Sequence, residues 1–270
     1  MLTEVEVGQF VAFGYVVLRN CLSPDKVRTL QEAFDRVSES SASLDLFGTV
    51  GSTRLMPFVE ADDSFGALVE HPEIMEAMRD IDGTEFLYSG GSDLTANLDD
   101  VFWHCDGTPG RQPRTAKTAI YLDDLRNGDG ALNVIPGSHH PEFSAALFRS
   151  YGPLGEQYRR RKHDRSTRDN IPGAVPIYTK PGDVVLWDNR LWHSAWTRRD
   201  GRPRRNMFIS YMRDPQDDPI GVRELREFLA SHLTEQGSVI YSKEMMRKGG
   251  TAREKMATRL EELGVDNVRE

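Results

Sequence analysis

From residue 84 to residue 213 the chain runs through short apolar segments broken by turn residues: EFLYSG (85–90), TANLDDVFWHCD (95–106), KTAIYLDDL (117–125), ALNVIPG (131–137), VPIYTK (175–180), DVVLWD (183–188) and NMFISYM (206–212). β-Branched and aromatic residues dominate these segments, as expected of strands. The breaks carry Asn127-Gly128-Asp129-Gly130, Pro136-Gly137-Ser138 and Pro181-Gly182-Asp183, compositions suited to tight turns. Short strands joined by turns favour an antiparallel jelly roll over a βαβ sheet. The expected architecture is mainly β with flanking helices.

On the N-terminal side, FVAFGYVVLRN (10–20) reads as an apolar strand. A helix follows to about Val37, with Ser23 as N-cap and Pro24 in the first turn. Residues 38–51, rich in Ser and Gly, read as a loop near an active-site mouth. Near-helical spacing of Leu68, Val69, Ile74, Met75 and Met78 predicts a second helix over 67–79, with Pro72 marking its start. Beyond Asp214 the chain turns helical and strongly charged over 221–236 and 251–263, which reads as flanking helices. The whole of 1–270 is expected to form a single domain.

The 270 residues suffice for one large core, and the 28% charged and 38% hydrophobic content is that of a globular protein. A net charge of −8 argues against general binding to nucleic acid or anionic membrane, leaving a small molecule as the expected partner. Two cysteines, Cys21 and Cys105, fit a reducing compartment. No stretch reaches the roughly 18 apolar residues of a membrane span, and the acidic N-terminus is unlike a secretory signal, so a cytoplasmic protein is expected.

His104-Cys105-Asp106 is the most informative tripeptide. In an extended strand residues two apart share a face, so imidazole and carboxylate converge while Cys105 points away. His193, 87 residues after Asp106, is the best third ligand. Two histidines and one carboxylate with open positions form the facial triad of non-haem Fe(II) oxygenases. A histidine packed between Trp192 and Trp196 for structural reasons is the competing reading. Eleven residues after His193 stands Arg204, whose planar guanidinium suits a carboxylate. Five arginines lie between Arg198 and Arg205, and composition alone does not choose among them.

Most of the chain resembles the Fe(II)/2-oxoglutarate dioxygenases of the phytanoyl-CoA dioxygenase type. The likeness runs from GYVVLRNCLSPDKV through FWHCDGT, NGDGALNVIPGSHH and KPGDVVLWDNRLWHSAW to RPRRNMFISY, in the family's order. It implies a double-stranded β-helix, the cupin-like jelly roll, with His104, Asp106 and His193 as iron ligands. It also implies Arg204 as partner of the distal carboxylate of 2-oxoglutarate, with Arg205 as the adjacent alternative. Thr118, Tyr121 and Asn133 are further candidates for the cosubstrate site. Fe(II), 2-oxoglutarate and O₂ are the implied cofactor and cosubstrates. Asp106 makes the chain resemble an oxygenase and not the related halogenases, which lack that carboxylate. The likeness makes His139 and His140 packing or hydrogen-bonding residues and not ligands, and hydroxylation of a small organic molecule the default activity.

The substrate is not legible. Arg111, Arg114 and Lys117 follow the first ligands, and Arg159-Arg160-Arg161-Lys162-His163 sits in a long insertion. They form either a cationic lid drawing in an anionic substrate or a solvated loop. Trp103, Trp192 and Trp196 serve either as a pocket wall or as core. A metal-dependent hydrolase on the same barrel would not need Arg204, and a silent small-molecule binder would not need all three ligands. The charged C-terminal helices suit a monomer or a homodimer.

Overall fold

The computed structural model describes residues 1–41, 53–96, 101–107, 115–125, 130–151, 171–198, 200–236 and 242–265. Helix α1 (Glu4–Phe13) opens with a capping box in which Thr3 and Glu6 satisfy each other's backbone N–H, and it ends at Gly14 in the left-handed conformation. The strand expected over 10–20 is therefore confined to β1 (Tyr15–Leu18), because residues 10–13 complete the capped helix. Helix α2 (Pro24–Ser41) runs past Val37 into the expected loop, and the rest of that loop up to Gly51 lies outside the described residues. Next come β2 (Thr53–Leu55), the short α3 (Asp63–Gly66), a 3-10 turn (Ala67–Glu70) and α4 (Pro72–Asp82).

The remaining strands are β3 (Phe86–Ala96), β4 (Val101–His104), β5 (Thr115–Tyr121), β6 (Leu132–Val134), β7 (Val175–Ile177), β8 (Val184–Asp188), β9 (His193–Ala195) and β10 (Arg205–Arg213). Helix α5 (Pro141–Tyr151), within a region read only as an insertion, separates β6 from β7. The chain closes with α6 (Pro219–Gln236), α7 (Lys243–Arg247) and α8 (Thr251–Glu262).

Two antiparallel sheets result, one ordered β1-β8-β5-β10-β3-β2 and the other β4-β9-β6-β7. They are the two walls of the double-stranded β-helix. Alternation along each strand sorts the side chains into two cores. On the outer face of the larger sheet, Leu94, Ile120, Leu186 and Ile209 join Leu30 and Phe34 of α2, Ile74 and Met78 of α4, Leu225 of α6 and Leu260 of α8 in one apolar cluster. At about 1.5–3 kcal/mol for each fully buried aliphatic side chain, this face carries much of the fold's stability. Between the sheets a second cluster holds Ala119, Tyr121, Leu132, Val134, Val185 and Trp187. Trp192, Ile135 and Leu147 of α5 form a third on the outside of the smaller sheet, with Trp103 packed against it. Trp192 is thus core, and Trp103 is half-buried against it.

Candidate metal centre

The site begins with an irregular strand pair. β4 and β9 are antiparallel, with Val101 opposite Ala195 and His104 opposite His193, and the register shifts between the two pairs. In a regular strand residues three apart would face opposite sides, so the irregularity is what turns His104 to the face of His193. Asp106 follows just beyond the strand end. His104 Nε2 lies 3.6 Å from Asp106 Oδ1, and His193 Nε2 lies 3.7 Å from Asp106 Oδ2. The two imidazole centroids are 4.3 Å apart. Among the described residues these three are the group of His, Cys, Asp or Glu side chains gathered closely enough to hold a metal ion.

Local bonding sets the state of these candidate ligand atoms. His193 Nδ1 donates to Leu191 O at 2.8 Å, which fixes the tautomer and leaves Nε2 as a lone pair facing the carboxylate. Burial pushes the His193 pKa down to about 3, with a further push from His104, so the ring is neutral as metal ligation requires. Burial opposes ionisation of Asp106. The Lys117 ammonium and the two imidazoles outweigh it and hold the carboxyl well below the usual carboxylate range. Lys117 Nζ donates to Asp106 Oδ2 at 3.0 Å. Cys105 points away from the carboxylate, and its Sγ donates to Gly107 O at 3.2 Å.

The inner face of the larger sheet supplies the rest of the bay. Lys117 is the register partner of Trp187, and Asn206 that of Tyr121. Phe208 stands between Asp93 and Ala119. Arg204, two residues before Asn206, is 2% exposed, and its Nε donates to Gly130 O at 2.9 Å. With its amide turned to suit, Asn206 accepts from Arg204 Nη1 at 3.0 Å. Gly130 has φ +87°, and a Cβ there would stand 2.5 Å from Arg204 Cδ, so only glycine allows the approach. Arg205 points the other way and is held by Asp123 at 2.7 Å and by Asp35 of α2 at 3.1 Å. Alternation therefore separates the two arginines that the sequence left as alternatives.

Two other sequence candidates are corrected. Thr118 is three residues from Tyr121 and on the opposite face of β5; its hydroxyl donates to Ile209 O at 3.4 Å within the outer layer. Asn133 lies between Leu132 and Val134, both of which face the interior, so it points outward and donates to Ala131 O at 3.1 Å. Tyr121 faces inward. Its hydroxyl lies beside the Arg204 guanidinium, and burial pushes the Tyr121 pKa up to about 12 against the pull of that neighbour, while Trp187 Nε1 is buried without a hydrogen-bond partner. An unpartnered indole N–H and a phenol beside a buried guanidinium fit a polar, anionic ligand.

Asp93, Arg54, Trp187 and Asn206 were not singled out from the sequence, although counting back by twos from Tyr121 would have placed Lys117 on the inner face. His139 and His140 lie elsewhere: their Nε2 atoms donate to Val11 O and Ala12 O at the C-terminal end of α1. Arg111, Arg114 and residues 159–163 lie outside the described residues. No helix among the described residues is long and apolar enough to cross a membrane.

Comparison with known proteins points the same way. The family model described as phytanoyl-CoA dioxygenase matches residues 10–206. An ectoine dioxygenase from Sphingopyxis alaskensis is 25% identical over 263 residues, covering 87% of this chain and 85% of that protein. An L-proline trans-4-hydroxylase from Streptomyces griseoviridis is 24% identical over 222 residues, covering 74% and 82%. Among solved structures, HygX from Streptomyces hygroscopicus with nickel and 2-oxoglutarate bound superposes with a TM-score of 0.63 at 16% identity, covering 79% of this chain and 88% of that one. The structural likeness shows the shared fold.

Proposed function

The chain belongs to the phytanoyl-CoA dioxygenase family, and from that premise we propose how its own residues run the reaction. It is a non-haem Fe(II)- and 2-oxoglutarate-dependent dioxygenase acting on a small molecule. In our reading His104, Asp106 and His193 hold the iron, Arg204 receives the distal carboxylate of 2-oxoglutarate, and Tyr121 and Trp187 line the cosubstrate chamber. The observation that carries it is the convergence of the three ligand side chains from the β4–β9 pair, with a buried arginine on the facing sheet.

Iron held by these residues would supply oxidation of a substrate C–H bond by O₂ coupled to decarboxylation of 2-oxoglutarate, one oxygen atom passing to the substrate and the other to succinate, with release of CO₂. The protein contributes placement. His193, fixed by Leu191 O, presents a neutral Nε2, and Asp106 stays ionised; two imidazoles and one carboxylate leave the remaining coordination positions open. Arg204, held through Nε by Gly130 O and through Nη1 by Asn206, keeps its positive charge in a fixed place. Val134, Trp187 and Leu191 surround His193 and exclude bulk water from that side.

For the substrate we propose a small carboxylate-bearing metabolite, most simply a zwitterion, that is hydroxylated. Lys117, Arg54 and Asp93 give the metal-side bay both signs of charge on one face. The names of the ectoine and L-proline relatives are consistent with such a molecule. The continuous apolar cluster joining N-terminal helices, sheet and C-terminal helices supports one domain across the chain, and two free thiols suit a cytoplasmic setting.

The test is anaerobic addition of 2-oxoglutarate to Fe(II)-loaded protein, followed by the visible charge-transfer absorption of the chelate. The band is expected in wild type, lost in His193→Ala and weakened in Arg204→Ala; its absence from folded, iron-loaded wild type refutes the reading. Succinate release is then screened with pairs of small amino acids and their methyl esters, and stimulation by the esters but not the acids would overturn the substrate class.

A further inference from the structure

We propose that Lys117 is a built-in counter-ion of Asp106 that competes with the divalent cation for this carboxylate, and so sets how tightly the triad holds metal. The inference deepens the reading above and rests on Asp106 being a metal ligand.

Lys117 projects from the inner face of β5 between its cross-strand neighbours Trp187 and Ser210. Its ammonium sits 5.6 Å from the Phe208 ring centroid and 3.0 Å from Asp106 Oδ2. The aromatic face favours a cation there and keeps the flexible stem aimed at the carboxylate. The other carboxylate on this face, Asp93, is engaged by Arg54 through bonds of 2.9 and 2.7 Å. Among the described residues, Lys117 forms its ion pair with Asp106 alone. The oxygen it holds is also the one 3.7 Å from His193 Nε2, so an ammonium and a metal ion at the triad address the same group.

A lysine in this place has two opposed effects on a metal ion. As a hydrogen-bond donor it orients the carboxylate, and loss of such a donor weakens metal binding. As a full positive charge only a few ångströms away, on a side chain 16% exposed and weakly screened, it repels the ion and neutralises the ligand. A neutral asparagine or glutamine would orient without repelling. The charge is the larger effect, because the ammonium holds the very oxygen that a metal ion at the triad addresses, and Asp93, the other carboxylate acting on Lys117, is itself engaged by Arg54 and offsets little of that charge.

The experiment is titration of the metal-free full-length protein with Zn²⁺ and Co²⁺, in wild type, Lys117→Gln, Lys117→Met and Lys117→Arg, alone and combined with Asp106→Asn. Both neutral variants are expected to bind metal more tightly, by about tenfold or more, because the Asp106 carboxylate is no longer held by an ammonium. Their metal-induced rise in Tm is expected to exceed that of wild type, because the metal-free form loses its ion pair. Lys117→Arg keeps the charge and stays close to wild type. In the Asp106→Asn background the gain shrinks, which identifies Asp106 as the group through which Lys117 acts. Unchanged or weaker affinity in both neutral variants, or an equal gain with and without Asp106, overturns the proposal. If Asp106→Asn alone binds both metals like wild type, the ligand assignment itself falls and the proposal with it.

Discussion

The two faces of the larger sheet are built from the same strands and have opposite characters. Outward, β8, β5, β10 and β3 present Leu186, Ile120, Ile209 and Leu94, all fully buried against helices. Inward, the neighbouring positions are Trp187, Lys117, Phe208 and Asp93, and the rim adds Tyr121 and Arg204. A fold can keep an arginine, a lysine and a buried phenol between its sheets when a dry outer layer supplies the stabilisation that the inner layer forgoes. Stability and chemistry are divided by a period of two.

The comparison can be broken most directly at the inner face. His193→Ala is expected to reduce bound iron and 2-oxoglutarate turnover to the detection limit while leaving the thermal transition largely in place; retained iron content and turnover would remove His193 from the centre. Arg204→Ala should cost about 2–5 kcal/mol of 2-oxoglutarate binding, the scale for removing one side of a buried charge contact. Arg205→Ala should leave that affinity within about twofold, since its partners Asp123 and Asp35 lie on the outer side. Equal effects from both arginines would show that alternation has been misjudged here.

At the outer face, Leu186→Ala is expected to lower stability by about 2–5 kcal/mol through cavity formation, read from denaturant unfolding, with kcat/KM of the folded fraction unchanged. A loss of activity without loss of stability would contradict the division. Gly130→Ala probes the seam between the layers: an added Cβ meets Arg204 Cδ, so 2-oxoglutarate affinity should fall, though by less than in Arg204→Ala, while the metal content holds.

The smallest effect concerns pH. His139 is buried at the end of α1, and burial pushes its pKa from the ordinary 6.5 down to about 4. Between these values the unfolded chain takes up a proton that the folded chain refuses. Stability is therefore full above pH 6.5 and declines as the pH falls toward 4. His139→Gln, which retains a donor for Val11 O, should flatten that slope in pH-dependent unfolding.

Several elements were legible in the chain itself, each for a local reason. The strands over 85–212 announced themselves by β-branched and aromatic runs between Gly- and Pro-containing turns, and α4 by Pro72 ahead of a helical apolar period. Helix α1 escaped notice because its signal is the Thr3–Glu6 capping box and not its apolar content, which reads equally well as strand. The proximity of His104 and Asp106 follows from spacing of two, and their grouping with His193, 87 residues on, follows from the donor set of a facial triad together with family likeness. Thr118 and Asn133 are candidates by family likeness alone, and strand parity turns both outward.

What the sequence determined alone was the kind of fold and the kinds of side chain available, because both depend on local pattern and composition. Which of two adjacent arginines enters the barrel, how a register shift turns His104 toward His193, and that Lys117 meets Asp106 were decided only by tertiary structure. Each depends on how one strand is paired with another distant in sequence, and a slip of a single residue in that pairing exchanges the two faces.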